Sequence, residues 1–185
     1  MRALPIAVTV LAAALALTSC DGGGSGSTGS SEKSGATAGS AKQSTAAACA
    51  IGDTAIQVGP ANAATAAGDT GNIPVTLTNK GGRCTLKGFP GLGVEAGGTS
   101  ADIAADKSAA PEALTLAKGD TATFTITYVR GAEGDAKSLA AKTLKISLPG
   151  ADTTQSFPWS YGPLAGKGSA SEPNASVTPF QHAGD

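Results

Sequence analysis

The chain has 185 residues, enough for one ordinary domain with extensions. Its formal net charge is −1 and its Lys and Arg residues are scattered singly, which excludes a nucleic-acid surface. Only 4% of residues are aromatic, so a core must come from Val, Leu and Ile and is thin for the length.

The first predicted element is an export signal over residues 1–19. Arg2 supplies a minimal positive start, and the 15 residues from Ala3 to Leu17 carry no charge. That run is shorter than the ~20 residues a spanning helix needs, and it matches a secretory apolar region ending in small residues. Two cleavage sites compete. Ala14-Leu15-Ala16 fits the ordinary small-x-small pattern and would release a soluble chain. Leu17-Thr18-Ser19-Cys20 resembles a bacterial lipobox, in which the cysteine takes a diacylglyceryl group and becomes the first residue.

Cysteine arithmetic favours the lipobox. Three cysteines in an exported chain leave one over. With lipid on Cys20, Cys49 and Cys84 are the one possible pair, and a disulfide is its expected state outside the cytoplasm. The predicted location is therefore the extracytoplasmic face of the cell membrane, held by two acyl chains.

Residues 20–48 follow as lipidated cysteine and linker. Of the 28 residues from 21 to 48, 23 are Gly, Ser, Thr or Ala, which predicts a disordered tether reaching roughly 30 Å. A helix across Ala46 to Ala50 is too short to stand alone.

From Cys49 the pattern turns to period two. "NIPVTLTN" points Ile73, Val75 and Leu77 one way, and "TATFTITYVR" does the same with Ala122, Phe124, Ile126 and Tyr128. "KTLKISLPG" adds Leu144, Ile146 and Leu148. Reversals are expected at Asn79 to Arg83 and Ala117 to Asp120. Weaker strands fall near Ile56, Val94, Leu114 and Phe157, with a last one in "SVTPF" before a loose tail. Only "AKSLAAK", Ala136 to Lys142, favours a short helix or helical turn. The predicted fold is all-β, an immunoglobulin-like antiparallel β-sandwich over residues 49–185.

The stretch "VTLTNKGGRCTLKGFPGLGVEAGG", followed by "LTLAKGDTATFTITY", resembles a domain common in actinobacterial secreted lipoproteins, domain of unknown function 4232. The matching features are Asn79, Cys84-Thr85-Leu86, Gly88-Phe89-Pro90-Gly91 and the Leu116 to Asp120 turn. The resemblance implies a β-sandwich lipoprotein and brings no established activity. Members often carry a second cysteine pair; here "RGAEGDAKS" and "WSYGPLAGKG" have none.

The candidates for chemistry are few. Cys49 and Cys84 lie 35 apart, which fits a structural staple rather than a redox pair. The one His, His182, is near the end and the one Met is the initiator, so no copper or zinc site is expected. Asp102 with Asp106, and Glu133 with Asp135, offer carboxylates that read as surface loops rather than a calcium site. No His within the domain serves as a base, and neither Glu95 nor the loop carboxylates sit at a spacing that asks for glycosidase work. "GFPGLG" lacks the following helix and Lys of a phosphate loop and reads as turns around a buried Phe89.

Phe157, Trp159 and Tyr161 fall at period two beside Pro158, which marks an edge strand. They form either an exposed aromatic face or a core plug. The expected function is a lipid-anchored binding or scaffolding module, not an enzyme and without cofactor. Its partners are the membrane and an envelope protein or glycan, with Trp159 and Tyr161 as the contact face. A structural spacer is the alternative, and an enzyme using a carboxylate pair a more distant one.

Overall fold

The computed structural model describes residues 46–184. The export signal over 1–19, Cys20 and the linker up to residue 45 lie outside the described residues.

The described chain opens with β1 (Ala47–Ala48), a 3-10 turn over Ile51–Asp53 and β2 (Thr54–Val58). Then come β3 (Thr70–Asn79), β4 (Cys84–Lys87), β5 (Gly91–Ala96), β6 (Thr99–Asp102) and β7 (Ala104–Ala105). β8 (Ala113–Leu116) leads through the Ala117–Asp120 turn into β9 (Thr121–Val129). The remainder holds β10 (Ser138–Leu139), β11 (Thr143–Ser147), β12 (Thr154–Pro158), β13 (Leu164–Ala165), β14 (Ala175–Val177) and β15 (Gln181–His182).

These strands make a six-stranded sheet in the order β2-β3-β9-β14-β7, with β15 also on β9. Against it stand a four-stranded sheet, β12-β11-β5-β6, and a three-stranded one, β1-β4-β8, with a small β10-β13 pair. The fold is an all-β sandwich. Two pairings, β1–β4 and β14–β7, are parallel, where antiparallel pairing alone was expected.

Alternation fills the interior. Ile73, Val75, Leu77, Ala122, Phe124, Ile126 and Tyr128 are buried from one sheet, and Leu144, Ile146 and Leu148 from the other strands, in one cluster. The threonines between them on β9 are only half-buried, as period two requires. β3 and β9 pair at nine positions, from Thr70↔Val129 to Thr78↔Thr121. Pro74 sits within this central strand without breaking it. Its carbonyl accepts from Gly59 N–H at 2.8 Å, just where β2 has left the ladder, so its missing N–H faces the β2 side and removes no β3–β9 bond.

Asn79 ends β3 and is the buried polar side chain of the core. Its Nδ2 reaches the carbonyls of Gly82 (2.7 Å), Ala117 (3.1 Å) and Leu116 (3.2 Å), while Oδ1 accepts from Gly81 N–H at 3.0 Å. One amide thus ties together the two reversals expected from sequence. A buried amide meets water nowhere, so these bonds are what make its burial tolerable.

Four sequence expectations are corrected. Ala136 to Lys142 is not helical: Leu139 and Ala141 are buried and Ala140 is exposed, and Ser138–Leu139 pairs with Leu164–Ala165. A segment that short cannot hold a helix alone, and core burial of Leu139 decides its conformation. The linker ends earlier than residue 48, since Ala47–Ala48 lies parallel beside Cys84–Thr85. The tail is not loose either: Phe180 is buried edge-on to Phe124, and Gln181–His182 pairs with Ala122–Thr123. Phe89, expected to be buried, is only half-buried, whereas Phe180 is buried.

Cys49 and Cys84 form the disulfide, and Cys49 N–H donates to Thr85 carbonyl at 3.0 Å. Replacing both cysteines by Ala is expected to lower unfolding free energy by about 4 kcal/mol through the freed loop. Urea unfolding of the variant and of the oxidised parent measures it.

Candidate functional site

Trp159 is 5% exposed and belongs to the core, so the contact face expected there is corrected. Its indole N–H donates to Gly162 carbonyl at 2.6 Å. Its ring meets Tyr128 and Tyr161 edge-on, at centroid distances of 5.3 and 5.1 Å. Tyr128 in turn donates its hydroxyl to Tyr161 carbonyl and accepts from Ala64 N–H, both at 3.2 Å. Tyr161 is half-buried; burial first, then the neighbouring Tyr128, raises its phenol above the ordinary value. Phe157 is half-buried on β12, which is an edge strand as Pro158 signalled. This cluster closes one end of the sandwich. Aromatic rings seek such burial when the indole N–H and the phenol O–H find carbonyls, which both do here.

A different feature opens on the four-stranded sheet. Leu92 and Val94 of β5 point into the core, so Gly91, Gly93 and Glu95 stand on its wet face. Strand register places Lys145 of β11 on one side of Gly93 and Asp102 of β6 on the other. Ser147 flanks Gly91, and Ser100 flanks Glu95. The result is an open trough of about 490 Å³, floored by two glycines and walled by these polar side chains and Thr154.

The two glycines have different surroundings. A Cβ on Gly91 would run into Ser147 Oγ, so that hydroxyl would have to turn aside. At Gly93 nothing does. An added Cβ would meet Asp102 Oδ1 at 3.8 Å and Ala101 O at 3.9 Å, which is ordinary contact. The backbone there is not left-handed, since Gly93 is outside the set with positive φ. Glycine inside a strand costs roughly 0.5–1 kcal/mol relative to Ala. The fold supplies no compensation for it, and a bare strand position is where a ligand can approach the backbone closely.

The charges of the trough are unevenly matched. Lys145 Nζ leans diagonally onto Glu95 Oε1 at 2.5 Å. Both partners are more than a third exposed, so the pair adds little stability. Among the described residues the other ion pair is Arg130–Glu133; Asp102 shares the trough with Lys145 and a neighbouring depression with Lys167 but pairs with neither within 4.0 Å.

The other candidate carboxylates are spent locally. Asp106 accepts from Ser108 N–H and Oγ, bonds that hold its carboxyl below the ordinary value, and so does not join Asp102. Asp135 accepts from Lys137 N–H, and Glu133 turns to Arg130 at 4.0 Å. His182 sits exposed on β15. Sequence reading missed the trough, although its signal is present: two glycines at period two on the polar face of "GLGVEA".

Fold and site together define a disulfide-stapled β-sandwich that presents a glycine-floored polar trough on one sheet. The chain matches the domain of unknown function (DUF4232) over residues 49–181 and belongs to that family. No curated protein and no solved structure matches it.

Trp159→Ala is expected to cost about 3–5 kcal/mol; in the parent, emission from this one Trp should be blue-shifted and shielded from acrylamide. Gly93→Ala is expected to raise stability by up to about 1 kcal/mol, and Gly91→Ala to raise it less, because Ser147 has to turn aside. Denaturant midpoints of the two glycine variants, measured side by side, check the contrast.

Proposed function

We propose that this chain is a lipid-anchored binding module of the cell envelope, whose contact face is the trough around Gly93. The observation that carries the reading is Gly93 itself, a destabilising residue that neither sterics nor backbone conformation requires. Cysteine use supports the anchor. Cys49 and Cys84 are joined to each other, which leaves Cys20 of Leu17-Thr18-Ser19-Cys20 as the thiol available for a diacylglyceryl group. Two acyl chains suffice for stable attachment, and the small-residue linker gives the sandwich reach from the membrane.

The reading involves presentation rather than turnover. Glu95 is occupied by Lys145, Asp106 by Ser108, and Asp135 by the Lys137 amide, which supports a role without a positioned acid–base pair. The aromatic cluster serves as a plug that stiffens the sheet ends and takes no part in contact.

The test places a photo-crosslinking amino acid at Ser100, on the trough wall, or at Thr65, an exposed loop position away from it. Both are introduced in the full-length chain in cells of its source, with and without Cys20→Ala. Light-dependent adducts at Ser100 and none at Thr65, with the parent in the membrane fraction and Cys20→Ala outside it, are expected. Equal yields at both positions overturn the contact face and favour an envelope spacer; membrane retention of Cys20→Ala overturns the anchor.

A further inference from the structure

β2 is the outermost strand of the six-stranded sheet, and among the described residues nothing pairs with its free side. Its register with β3 decides which backbone groups are left over. Gly59 N–H donates to Pro74 carbonyl, and Lys80 N–H donates to Asp53 carbonyl. The odd-numbered residues therefore bond to β3, while Thr54, Ile56 and Val58 turn their backbone N–H and C=O outward. Thr54 N–H returns to Ile51 carbonyl, which leaves both groups of Ile56 and of Val58 for another strand.

Exposed edges are normally guarded by shortness, a charge, a proline or a cover. The other edges here follow that rule. β1 and β7 have two residues each, β12 ends on Pro158, and β6 ends on Asp102. β8 has its Leu114 and Leu116 buried. β2 has none of these guards. Its five residues, Thr-Ala-Ile-Gln-Val, include no charge and no proline, and its core-side Ile56 and Val58 are only half-buried. A strand laid beside it gains ladder bonds and covers two β-branched apolar side chains.

Such a strand has to be uncharged opposite Ala55 and Gln57 and apolar opposite Ile56 and Val58. β2 itself meets both conditions. At a two-fold axis every charge approaches its own counterpart, so a charge-free edge is what self-pairing requires. The flanking residues also select one register. Pro60 has no N–H to give, and Ile51–Asp53 is a 3-10 turn. An axis at Thr54 or Ala55 draws that turn into the ladder, and one at Gln57 or Val58 draws in Pro60. Only an axis at Ile56 pairs all five residues of the strand.

We infer that two copies of this chain join through β2, antiparallel about a two-fold axis at Ile56, so that their six-stranded sheets become one. Ile56 exchanges both its bonds with its counterpart, and each Val58 N–H donates to the opposite Thr54 carbonyl. Ile56 packs on Ile56, Val58 beside Thr54, and Ala55 beside Gln57. The trough belongs to the four-stranded sheet and takes no part in this pairing. An edge contact is small and exchanges readily, so its test traps the pair covalently.

Two differently tagged full-length chains, one Ala55→Cys and one Gln57→Cys, are expressed together in cells of the source and oxidised mildly. Across the axis Ala55 lies directly opposite Gln57, within disulfide reach, whereas Ala55 to Ala55 and Gln57 to Gln57 are diagonals of roughly 7–8 Å. Above the yield of the parent chain, mixed dimer should exceed dimer from either variant alone, or from Thr65→Cys, at least tenfold. Ile56→Lys in both chains sets two ammonium groups at the axis and should cut that yield at least tenfold. Ile56→Lys in one chain with Ile56→Glu in the other should restore it. Each variant is checked for a parent-like melt; if the Ile56 variants misfold, the cysteine comparison alone decides.

Mixed yield no higher than that of the single variants overturns the inference. So does a yield that Ile56→Lys leaves unchanged in folded chains, or that the Lys and Glu combination fails to restore. Disulfide adducts with a different protein in place of the second copy overturn the copy as the occupant of this edge.

Discussion

The pairing of β3 with β9 is the interaction on which the rest of the sandwich depends. Nine residue pairs run from Thr70↔Val129 to Thr78↔Thr121, the longest ladder in the fold. On one flank β3 carries β2, and on the other β9 carries β14 and β15. The inward side chains of the pair then supply one wall of the core, against which the other sheets bury Leu144, Ile146 and Val94. Asn79 fixes the end of this ladder: its side-chain amide reaches carbonyls in the β8–β9 turn and in its own reversal. With a core so poor in aromatics, a ladder locked at one end compensates through register for what bulk does not provide.

The staple acts at the opposite strand. Cys49 joins Cys84 on β4 just where the chain enters the domain, so Ala47–Ala48 is held parallel to β4. In a lipid-anchored protein the pull of the tether would arrive at this point. A disulfide into a buried strand passes such a force to the core rather than peeling off a two-residue strand. At the far end the chain is held without a second cysteine pair. Phe180 against Phe124, the β15 pairing and the Tyr128–Trp159–Tyr161 cluster do that work through burial and ladder bonds.

The trough is a by-product of the same alternation that builds the core. Once Leu92 and Val94 are committed inward, Gly91 and Gly93 have to face water. Ser147 Oγ lies over Gly91, and among the described residues only Asp102 Oδ1 and Ala101 O come within ordinary contact of the space above Gly93. The family assignment carries no activity with it, so this unfilled position is the strongest pointer to function in the molecule. It also explains why a rigid scaffold is useful: polar groups that face solvent discriminate between ligands only when their spacing is held.

Local pattern alone determined the main strands, their inward residues and both reversals, because period two and turn chemistry are properties of neighbours along the chain. It also determined the disulfide, since arithmetic left one partner for Cys49 once Cys20 was set apart. What it did not reach depends on contacts between distant segments. Whether Trp159 faced core or water could not be read from its spacing, since a ring at period two fits either side of an edge strand. Leu139 is extended and buried rather than helical, and Phe180 is buried on Phe124 while Phe89 is only half-buried, because burial against distant strands outweighs weak local preference. The trough is the clearest case: Lys145 lies far along the chain from the β5–β6 hairpin that holds Gly93 and Asp102, and only strand register brings the three into one row across a sheet.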